Sequence, residues 1–119
     1  MSTPNLYLAV FLGTKAGRAA WDALPEPERR AKERDGIAAW KAWVEKHQAA
    51  IAEMGGPVGK TKKVSRSGIE DVSNQIGAFS VVRAASHEAA AKMFEQHPHF
   101  MIFPGDCIEV MPVLPIPGG

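Results

Sequence analysis

The chain has 119 residues, 45% of them hydrophobic and 23% charged, which suits one globular domain with one core. Its formal net charge is +1, from 14 basic and 13 acidic residues, so no overall field favours nucleic acid, membrane or acidic substrates. The single cysteine, Cys107, has no partner for an internal disulfide, and the first five residues lack the basic and apolar regions of a signal peptide. Both features predict a cytoplasmic protein.

The first predicted element is a strand over residues 6–12, where seven apolar residues run without interruption to Gly13. Such a run indicates a strand buried on both faces, and it is far too short to cross a bilayer. The even-numbered residues are predicted to point to one face and the odd-numbered residues to the other. Both faces of the strand therefore need a covering layer.

A long amphipathic helix is predicted to begin after Pro25. Residues 13–25, before it, are expected to form a loop with at most one helical turn. The apolar stripe of the helix repeats at steps of three and four residues and consists of Ile37, Trp40, Val44, His47, Ile51 and Met54.

The glycine-rich segment after this stripe resembles two different motifs. Gly55-Gly56-Pro57 suits a helix stop, because glycine accepts a left-handed cap and proline cannot continue a helix. The segment also ends in Gly59-Lys60-Thr61, as a phosphate-binding loop does, but Met54 stands where that loop needs its first glycine. No helix follows to bind a phosphate at its N-terminus, so we interpret the segment as a helix stop.

The second half of the chain is predicted to hold three strands. Residues 60–66 are lysine-rich and are expected at a sheet edge, where lysine discourages further pairing. Residues 67–75 are predicted to be a loop or a hairpin connection, and residues 78–84 a central strand. Residues 106–113 form the last strand, whose proline indicates an edge, and residues 115–119 an irregular tail.

The second helix is predicted to lie between the last two strands. Ser86 is a good N-cap, and Glu88 is placed where the helix dipole favours a negative charge. His97 is expected to end the helix on its buried stripe, and Pro98 to stop it. His99 then lies just beyond the break.

The element order β-α-β-β-α-β predicts an α+β, ferredoxin-like fold with a four-stranded antiparallel sheet. Right-handed crossovers place the first and third strands in the centre and the second and fourth at the edges. Two helices cover one face only. The other face carries large apolar side chains from the first strand, so we expect a homodimer that packs sheet on sheet.

Three histidines are the main candidates for chemistry. His47 lies on the apolar stripe of the long helix, where it is either a general base facing a pocket or a core histidine satisfied by one hydrogen bond. His97 is either a reactive group or a C-cap favoured by the helix dipole. Paired histidines can bind a metal, but a zinc site needs three converging ligands and no third is evident, so no metal or cofactor is predicted.

Three other residues are candidate ligand contacts. Trp40 sits at helical spacing, where a large aromatic belongs to a core or interface more often than to a ligand platform. Asn74 and Asp106 could hydrogen-bond a ligand, while Cys107 is expected to be a small buried hydrophobe. RNA-binding domains share this element order, but the third strand offers only Phe79 for base stacking and the net charge is nearly zero, so nucleic-acid binding is not predicted.

Several segments together carry a resemblance to a known family, through their order and spacing. They are Gly55-Gly56-Pro57-Val58-Gly59, Gly77-Ala78-Phe79-Ser80-Val81-Val82, Ser86-His87-Glu88-Ala89-Ala90, His97-Pro98-His99, Pro104-Gly105-Asp106 and Ile108-Glu109-Val110-Met111-Pro112-Val113. On these segments the chain resembles the YCII-related proteins from about Tyr7 to Pro115. The resemblance implies one ferredoxin-like domain over residues 1–119, with a core of about residues 6–113, that dimerises through its sheet as dimeric α/β barrels do.

The resemblance implies a fold and a pocket more than an activity, because most of the family has no assigned reaction. One branch pairs a histidine with an aspartate near the start of the first helix, where this chain has Arg34-Asp35-Gly36-Ile37 and no histidine. Another branch carries Asp-Gly-Pro-Phe before the third strand, where this chain has Arg66-Ser67-Gly68-Ile69. The family's histidine–aspartate pair is therefore not carried over.

Two functions follow as expectations. The first is an enzyme that acts on a small, cyclic or aromatic metabolite by histidine acid/base chemistry. Its candidate catalytic residues are His97 and His47, and its candidate binding residues are His99, Asn74, Asp106 and Trp40. The alternative is a non-catalytic module that binds a small ligand in the same pocket.

Overall fold

The computed structural model of the chain describes residues 5–118. Residues 1–4, which belong to the signal-peptide argument, and Gly119 of the predicted tail lie outside this range. The strands are β1 (Leu6–Gly13), β2 (Ile51–Pro57), β3 (Thr61–Ser65), β4 (Gly68–Val72), β5 (Ile76–Arg83) and β6 (Gly105–Pro112). The helices are α1 (Lys15–Asp22), α2 (Glu26–His47), α3 (His87–Lys92) and α4 (Pro98–Met101), with a 3-10 turn at Gln48–Ala50.

Four of the strands form one antiparallel sheet in the order β2-β5-β1-β6. The predicted ferredoxin-like arrangement is confirmed, with β1 and β5 in the centre and β6 at an edge. Phe11 of β1 lies opposite Ala78 of β5 and Ile108 of β6, which sets the register of the three strands.

The helices cover one face of this sheet and enclose the core. Tyr7, Ala9 and Phe11 of β1 are buried there with Val82 of β5 and Phe94. The alternation predicted for β1 is confirmed, because the even-numbered residues of this strand point to the other face and are only half-buried.

The opposite face of the sheet, called the open face below, carries apolar side chains from three strands. Directly paired residues of neighbouring strands share a face. Leu8 therefore lies beside Val81 and Met111, and Val10 lies beside Phe79. Met111 is 39% exposed, and the other four are half-buried.

The long helix ends earlier than the sequence predicts. α2 stops at His47, and Ile51–Pro57, which was interpreted as the end of the helix and its stop, is the edge strand β2. Its first residue pairs with Val82 of β5, and Met54 is 56% exposed instead of lying on a buried stripe. The pairing satisfies backbone groups along the edge of β5, which a continued helix would leave open.

Gly55 shows why β2 contains glycine. Its φ angle is +66°, and a Cβ at this position would overlap the carbonyl oxygen of Phe79 on β5. The pairing register of β2 shifts between Glu53 and Gly56, as in a β-bulge. Gly55 therefore permits a close approach inside a sheet and does not terminate a helix.

The lysine-rich segment is not the edge strand of the main sheet, contrary to the prediction. β3 pairs with β4 in a separate two-stranded sheet, and β4 lies within residues 67–75, for which a loop or a hairpin connection was predicted. Ser65 pairs with Gly68, so Arg66 and Ser67 form a two-residue turn, and Gly68 has a φ of +114°.

The shorter helices also differ from the prediction. α1 forms where a loop with one helical turn was expected; the Thr14 side chain accepts a hydrogen bond from the Gly17 amide, and Trp21 is buried. The Ser86 cap of α3 is confirmed by the hydrogen bond from the Ala89 amide to its hydroxyl. Among the described residues, no helix combines the length and the apolar character that a bilayer span requires.

Candidate functional site

His97 occupies the turn between α3 and α4 and is fully buried. The prediction that it ends the second helix is wrong, because α3 stops at Lys92 and His97 is the N-cap of α4. Its backbone is extended, with φ −64° and ψ 141°, and Pro98 takes the first helical position. Proline suits that position because its missing N–H would have no helical partner there.

The hydrogen bonds of His97 determine where its proton lies. Nδ1 accepts a hydrogen bond of 3.0 Å from the backbone amide of His99, so in the neutral ring the proton is on Nε2. Nε2 is buried, and it has no hydrogen-bond partner within residues 5–118. A buried donor without an acceptor is costly in a folded protein, and its retention calls for an explanation.

Aromatic rings form the walls around His97. Its ring centroid lies 4.5 Å from that of Trp40 and 4.8 Å from that of Trp43, in edge-to-face geometry in both cases. Phe11 lies 5.3 Å away and Phe94 6.0 Å away. These rings, together with the His99 ring described below, are called the His97 cluster: Phe11, Trp40, Trp43, Phe94, His97 and His99.

This surrounding keeps His97 neutral. Burial, with smaller contributions from His99 and His47, lowers the pKa of His97 from 6.5 to about 4. Protonation would also place a hydrogen on Nδ1, against the amide of His99. At neutral pH the ring is therefore a hydrogen-bond donor through Nε2–H and a poor proton acceptor.

His99 lies in the same cluster and offers a hydrogen-bond acceptor, whereas His97 offers a donor. Its Nε2 donates to the backbone carbonyl of Leu12 over 2.8 Å, so the lone pair of the neutral ring is on Nδ1. Its ring centroid lies 5.2 Å from that of Phe11 and 6.5 Å from that of Trp40, in edge-to-face geometry in both cases. Gly105 leaves room for this arrangement, because a Cβ there would overlap the His99 ring and its carbonyl oxygen.

The long helix supplies the other side of the cluster. Trp43 is held by a hydrogen bond from its indole Nε1 to the carbonyl of Met93, at 2.7 Å. The His47 ring lies 4.9 Å from the same indole, which also contacts His97. Burial and the neighbouring Lys46 lower the pKa of His47. Both His47 and His97 therefore contact the Trp43 indole.

The structure does not bring every predicted residue to this cluster. Asn74 is exposed at the base of the β3–β4 hairpin, where its amide donates to the Thr61 hydroxyl and its oxygen accepts from the Ile76 amide. Asp106 is exposed at the start of β6. Burial and a hydrogen bond that the thiol donates to the Asp106 carboxylate raise the pKa of Cys107, which is half-buried. Trp40 alone of the non-histidine candidates contacts His97.

A shallow groove runs between α3 and β6, next to the cluster. Its volume is about 410 Å³. It is called the α3–β6 groove below and is lined by Ala91, Phe94, Glu95, Phe100, Asp106, Cys107, Ile108 and Val110. Phe94 belongs to both sites, since it faces the groove and contacts His97.

The donor set of the cluster fits organic ligands better than metal ions. Within residues 5–118, no three side chains of histidine, cysteine, aspartate or glutamate are grouped as metal ligands would be. His97 and His99 each use one ring nitrogen in a hydrogen bond with the backbone. What remains is one buried N–H donor, one imidazole acceptor and several aromatic faces.

One solved structure extends these observations. It is a 5-chloro-2-hydroxyhydroquinone dehydrochlorinase from Burkholderia phenoliruptrix in complex with 2,5-dihydroxybenzoquinone. The match covers 88% of this chain and 89% of that chain, with 19% identity and a TM-score of 0.52. The two chains share a fold. This agrees with the ferredoxin-like fold that the resemblance to YCII-related proteins implies.

Comparisons by sequence add nothing to this likeness. No model of a protein family matches the chain, and no curated protein matches it at the threshold applied. The fold and the local geometry therefore carry the functional argument.

Sequence reasoning missed two parts of the cluster. Trp43 was not predicted, because the apolar stripe of the long helix includes Trp40 and not Trp43. The spacing of Trp40, Trp43 and His47 by three and then four residues was the available signal, since such residues neighbour each other on a helix. Phe11 was assigned to a face of β1, but nothing local in the sequence connects it with a histidine 86 positions later.

Proposed function

We propose that this chain is a YCII-like homodimeric protein that binds a small oxygenated ring compound at the His97 cluster and acts on it by histidine chemistry. The observation that carries the proposal is the buried, unpartnered Nε2–H of His97 among aromatic rings. A carbonyl or phenolate oxygen of a ligand would accept this hydrogen bond. Aromatic walls would stack on or meet the edge of its ring.

The two histidines would take different roles. His97 is neutral and donates, so it would polarise an oxygen of the substrate, as a neutral imidazole can. His99 has its Nδ1 lone pair directed away from the bond to Leu12, so it would accept a proton from the ring. This assignment moves the base from His97, where the sequence predicted it, to its neighbour.

The ligand would enter beside Trp40. This indole is half-buried, whereas His97 behind it has no exposed surface. A rotation of the Trp40 side chain would open a path to Nε2 of His97 and leave His99 at the rim. His47 contacts Trp43 on the same helix, so the surroundings of His47 would change when Trp40 rotates. His47 itself would not touch the ligand.

The shared fold suggests a first probe. The dehydrochlorinase that resembles this chain was solved with 2,5-dihydroxybenzoquinone, a planar ring with four oxygens. Such a molecule offers acceptors for an N–H donor and a flat face for an aromatic wall. It serves as a test compound of the right chemical class.

The homodimer would form through the open face. Leu8, Val10, Phe79, Val81 and Met111 give this face an apolar centre that a second sheet can cover. A symmetric pair of chains would bury the same residues twice. Replacing Val10 and Val81 by lysine should weaken dimerisation in sedimentation velocity, with His97→Asn as a control that leaves the dimer intact.

Binding is tested by titrating the protein with 2,5-dihydroxybenzoquinone and following the imidazole N–H signals by nuclear magnetic resonance. The Nε2–H signal of His97 should shift on binding, and the His97→Asn variant should bind about tenfold more weakly, as expected for one lost hydrogen bond. Asparagine retains an N-cap acceptor for the His99 amide and lacks the Nε2–H donor. His87→Asn is the matched control, because His87 is exposed and bonds Val110 outside the cluster. Equal affinity of both variants would contradict the site.

Catalysis is separated from binding by hydrogen exchange at the ring carbons of the probe. An acid/base enzyme should accelerate exchange of a ring C–H for deuterium from heavy water, and His99→Asn should abolish the acceleration while binding persists. Binding without accelerated exchange favours the alternative function, a non-catalytic ligand-binding module. Two features favour that alternative: within residues 5–118 no carboxylate forms a hydrogen bond with His97, and its lowered pKa makes it a weak base.

A further inference from the structure

The β3–β4 hairpin presents an apolar tip to solvent. Val64 and Ile69 pair across the two strands and are 76% and 70% exposed. The hairpin forms a sheet of its own, apart from the four-stranded sheet. Its strands have five residues each, so the arm extends about 17 Å from its base. An isolated two-stranded hairpin is marginally stable in water and gains stability when an apolar face is covered.

The two faces of the hairpin differ in character. Side chains alternate along a strand, so Val64 and Ile69 share a face with the ion pair between Lys62 and Asp71. Arg66 stands in the turn, separated from the apolar pair by the paired residues Ser65 and Gly68. The tip of the hairpin therefore carries two branched apolar side chains and a guanidinium group.

The α3–β6 groove has the complementary character. Phe94, Phe100 and Ile108 give it apolar walls, and the carboxylates of Glu95 and Asp106 border it. The ion pairs found within residues 5–118 involve neither of these carboxylates. The groove therefore offers an apolar floor with two negative groups at its rim.

We propose that the tip of the β3–β4 hairpin of one copy of this chain docks in the α3–β6 groove of a second copy. Val64 and Ile69 pack against the phenylalanine walls, and Arg66 pairs with a rim carboxylate. Charge complementarity fixes the orientation, since the positive end of the hairpin meets the negative border of the groove. The contact covers the two exposed apolar side chains and the floor of the groove together.

The tip of the hairpin does not occupy the groove of its own chain, since Val64 and Ile69 are 76% and 70% exposed. The hairpin connects β2 to β5 at one side of the sheet, whereas the groove borders β6 at the far edge. Two strands lie between β2 and β6, which places these edge strands about 14 Å apart at the usual strand spacing. The hairpin emerges at the edge opposite its own groove, and a second copy brings the two surfaces together.

A pair of cysteines tests the contact directly. In a Cys107→Ser background, Ile69→Cys places a thiol on the apolar face of the tip, and Ala91→Cys places one in the groove. Under mild oxidation this pair should give a covalent dimer in high yield. Lys63→Cys with Ala91→Cys is the matched control, because Lys63 is on the opposite face of the same hairpin, and it should give several-fold less.

Isotope mixing identifies which chains are joined. Equal amounts of ¹⁵N-labelled and unlabelled protein are mixed before oxidation, and the cross-linked peptides are analysed by mass spectrometry. Mixed-isotope peptides that join the tip to α3 support the proposal. Peptides that join the tip and groove of one chain, tips joined only to other tips, or equal yields from the two faces overturn it.

Charge exchange gives a second measurement. Arg66→Glu should weaken association in sedimentation velocity, and Arg66→Glu combined with Glu95→Arg should restore it at least in part. Both residues are exposed, and circular dichroism checks that the variants stay folded. If Arg66→Glu left both the cross-linking yield and the association unchanged, the contact would not be the proposed one.

Discussion

Substitution of His97 by asparagine should flatten the pH dependence of the free energy of unfolding in mildly acidic solution. In the native protein, burial and the nearby His99 and His47 lower the pKa of His97 from 6.5 to about 4. Between these values the unfolded chain binds a proton that the folded chain excludes. The native protein therefore loses stability as the pH falls from 6.5 towards about 4 and loses nothing from this group above that window.

The size of the effect follows from the two pKa values. The interval from 6.5 to about 4 corresponds to roughly 3 kcal/mol at about 1.4 kcal/mol per pH unit. The side chain has no exposed surface, so solvent screening does not reduce this figure. At neutral pH the His97→Asn variant should be about 2 kcal/mol less stable than the native protein, because it loses ring packing while keeping an N-cap acceptor. The two stability curves should therefore cross near pH 5, and at pH 4 the native protein should be about 1 kcal/mol less stable than the variant.

Urea unfolding at a series of pH values measures both curves, with tryptophan fluorescence as the signal, since Trp40 and Trp43 contact His97. Carboxylates titrate in both proteins and largely cancel in the difference. The His87→Asn control keeps His97 and should keep the native pH dependence. Parallel curves for the native protein and His97→Asn would refute the argument that buried His97 is neutral.

Two further substitutions test how the cluster is held. Gly105→Ala should destabilise the protein by about 1–3 kcal/mol in thermal unfolding, because the new Cβ overlaps the His99 ring. Gly56→Ala is the control: its Cβ would meet no atom within 4 Å, so stability should change by no more than about 0.5 kcal/mol. Trp43→Phe should cost about 1–2 kcal/mol in urea unfolding, because it leaves the Met93 carbonyl without its indole donor; an unchanged midpoint would show that water replaces the indole.

The main sheet was predictable because its central strands follow simple periodicity. The apolar run of β1 and the alternation within it are local properties, and they identified both the strand and its two faces. Ser86 was also recognised, because an N-cap acts through an amide only three residues away. These features depend on neighbours in sequence, so the sequence alone expresses them.

The errors at β2 have a different origin. Ile51 and Met54 are spaced as in a helix and also fit a short strand, so periodicity over a few residues cannot separate the two structures. What decides the outcome is the unpaired edge of β5, which is far away in sequence. Gly55 belongs there because the Phe79 carbonyl approaches its Cα, and glycine at such a contact looks the same in sequence as glycine in a helix stop.

The residues of the His97 cluster come from separate segments of the chain, and the sequence patterns did not predict that they meet. His97, His99, His47 and Trp40 come together around Trp43 or its neighbours, whereas the helical stripes left open whether His47 and His97 face one cavity. Asn74 takes a structural role at the base of the hairpin instead. A hydrogen bond across the fold or the exposure of a loop residue depends on tertiary packing, which no local pattern records.

The segment His97-Pro98-His99 contains a local signal that was assigned to the wrong helix end. Proline stops a helix that precedes it, but it also suits the first position of a helix that follows it. With proline there, the first free amide of the new helix is that of His99, and His97 Nδ1 accepts its hydrogen bond. The cap thereby fixes the proton on Nε2. Any reaction in which His97 takes up a second proton must first break this cap, whereas a reaction in which it donates a hydrogen bond leaves the cap intact.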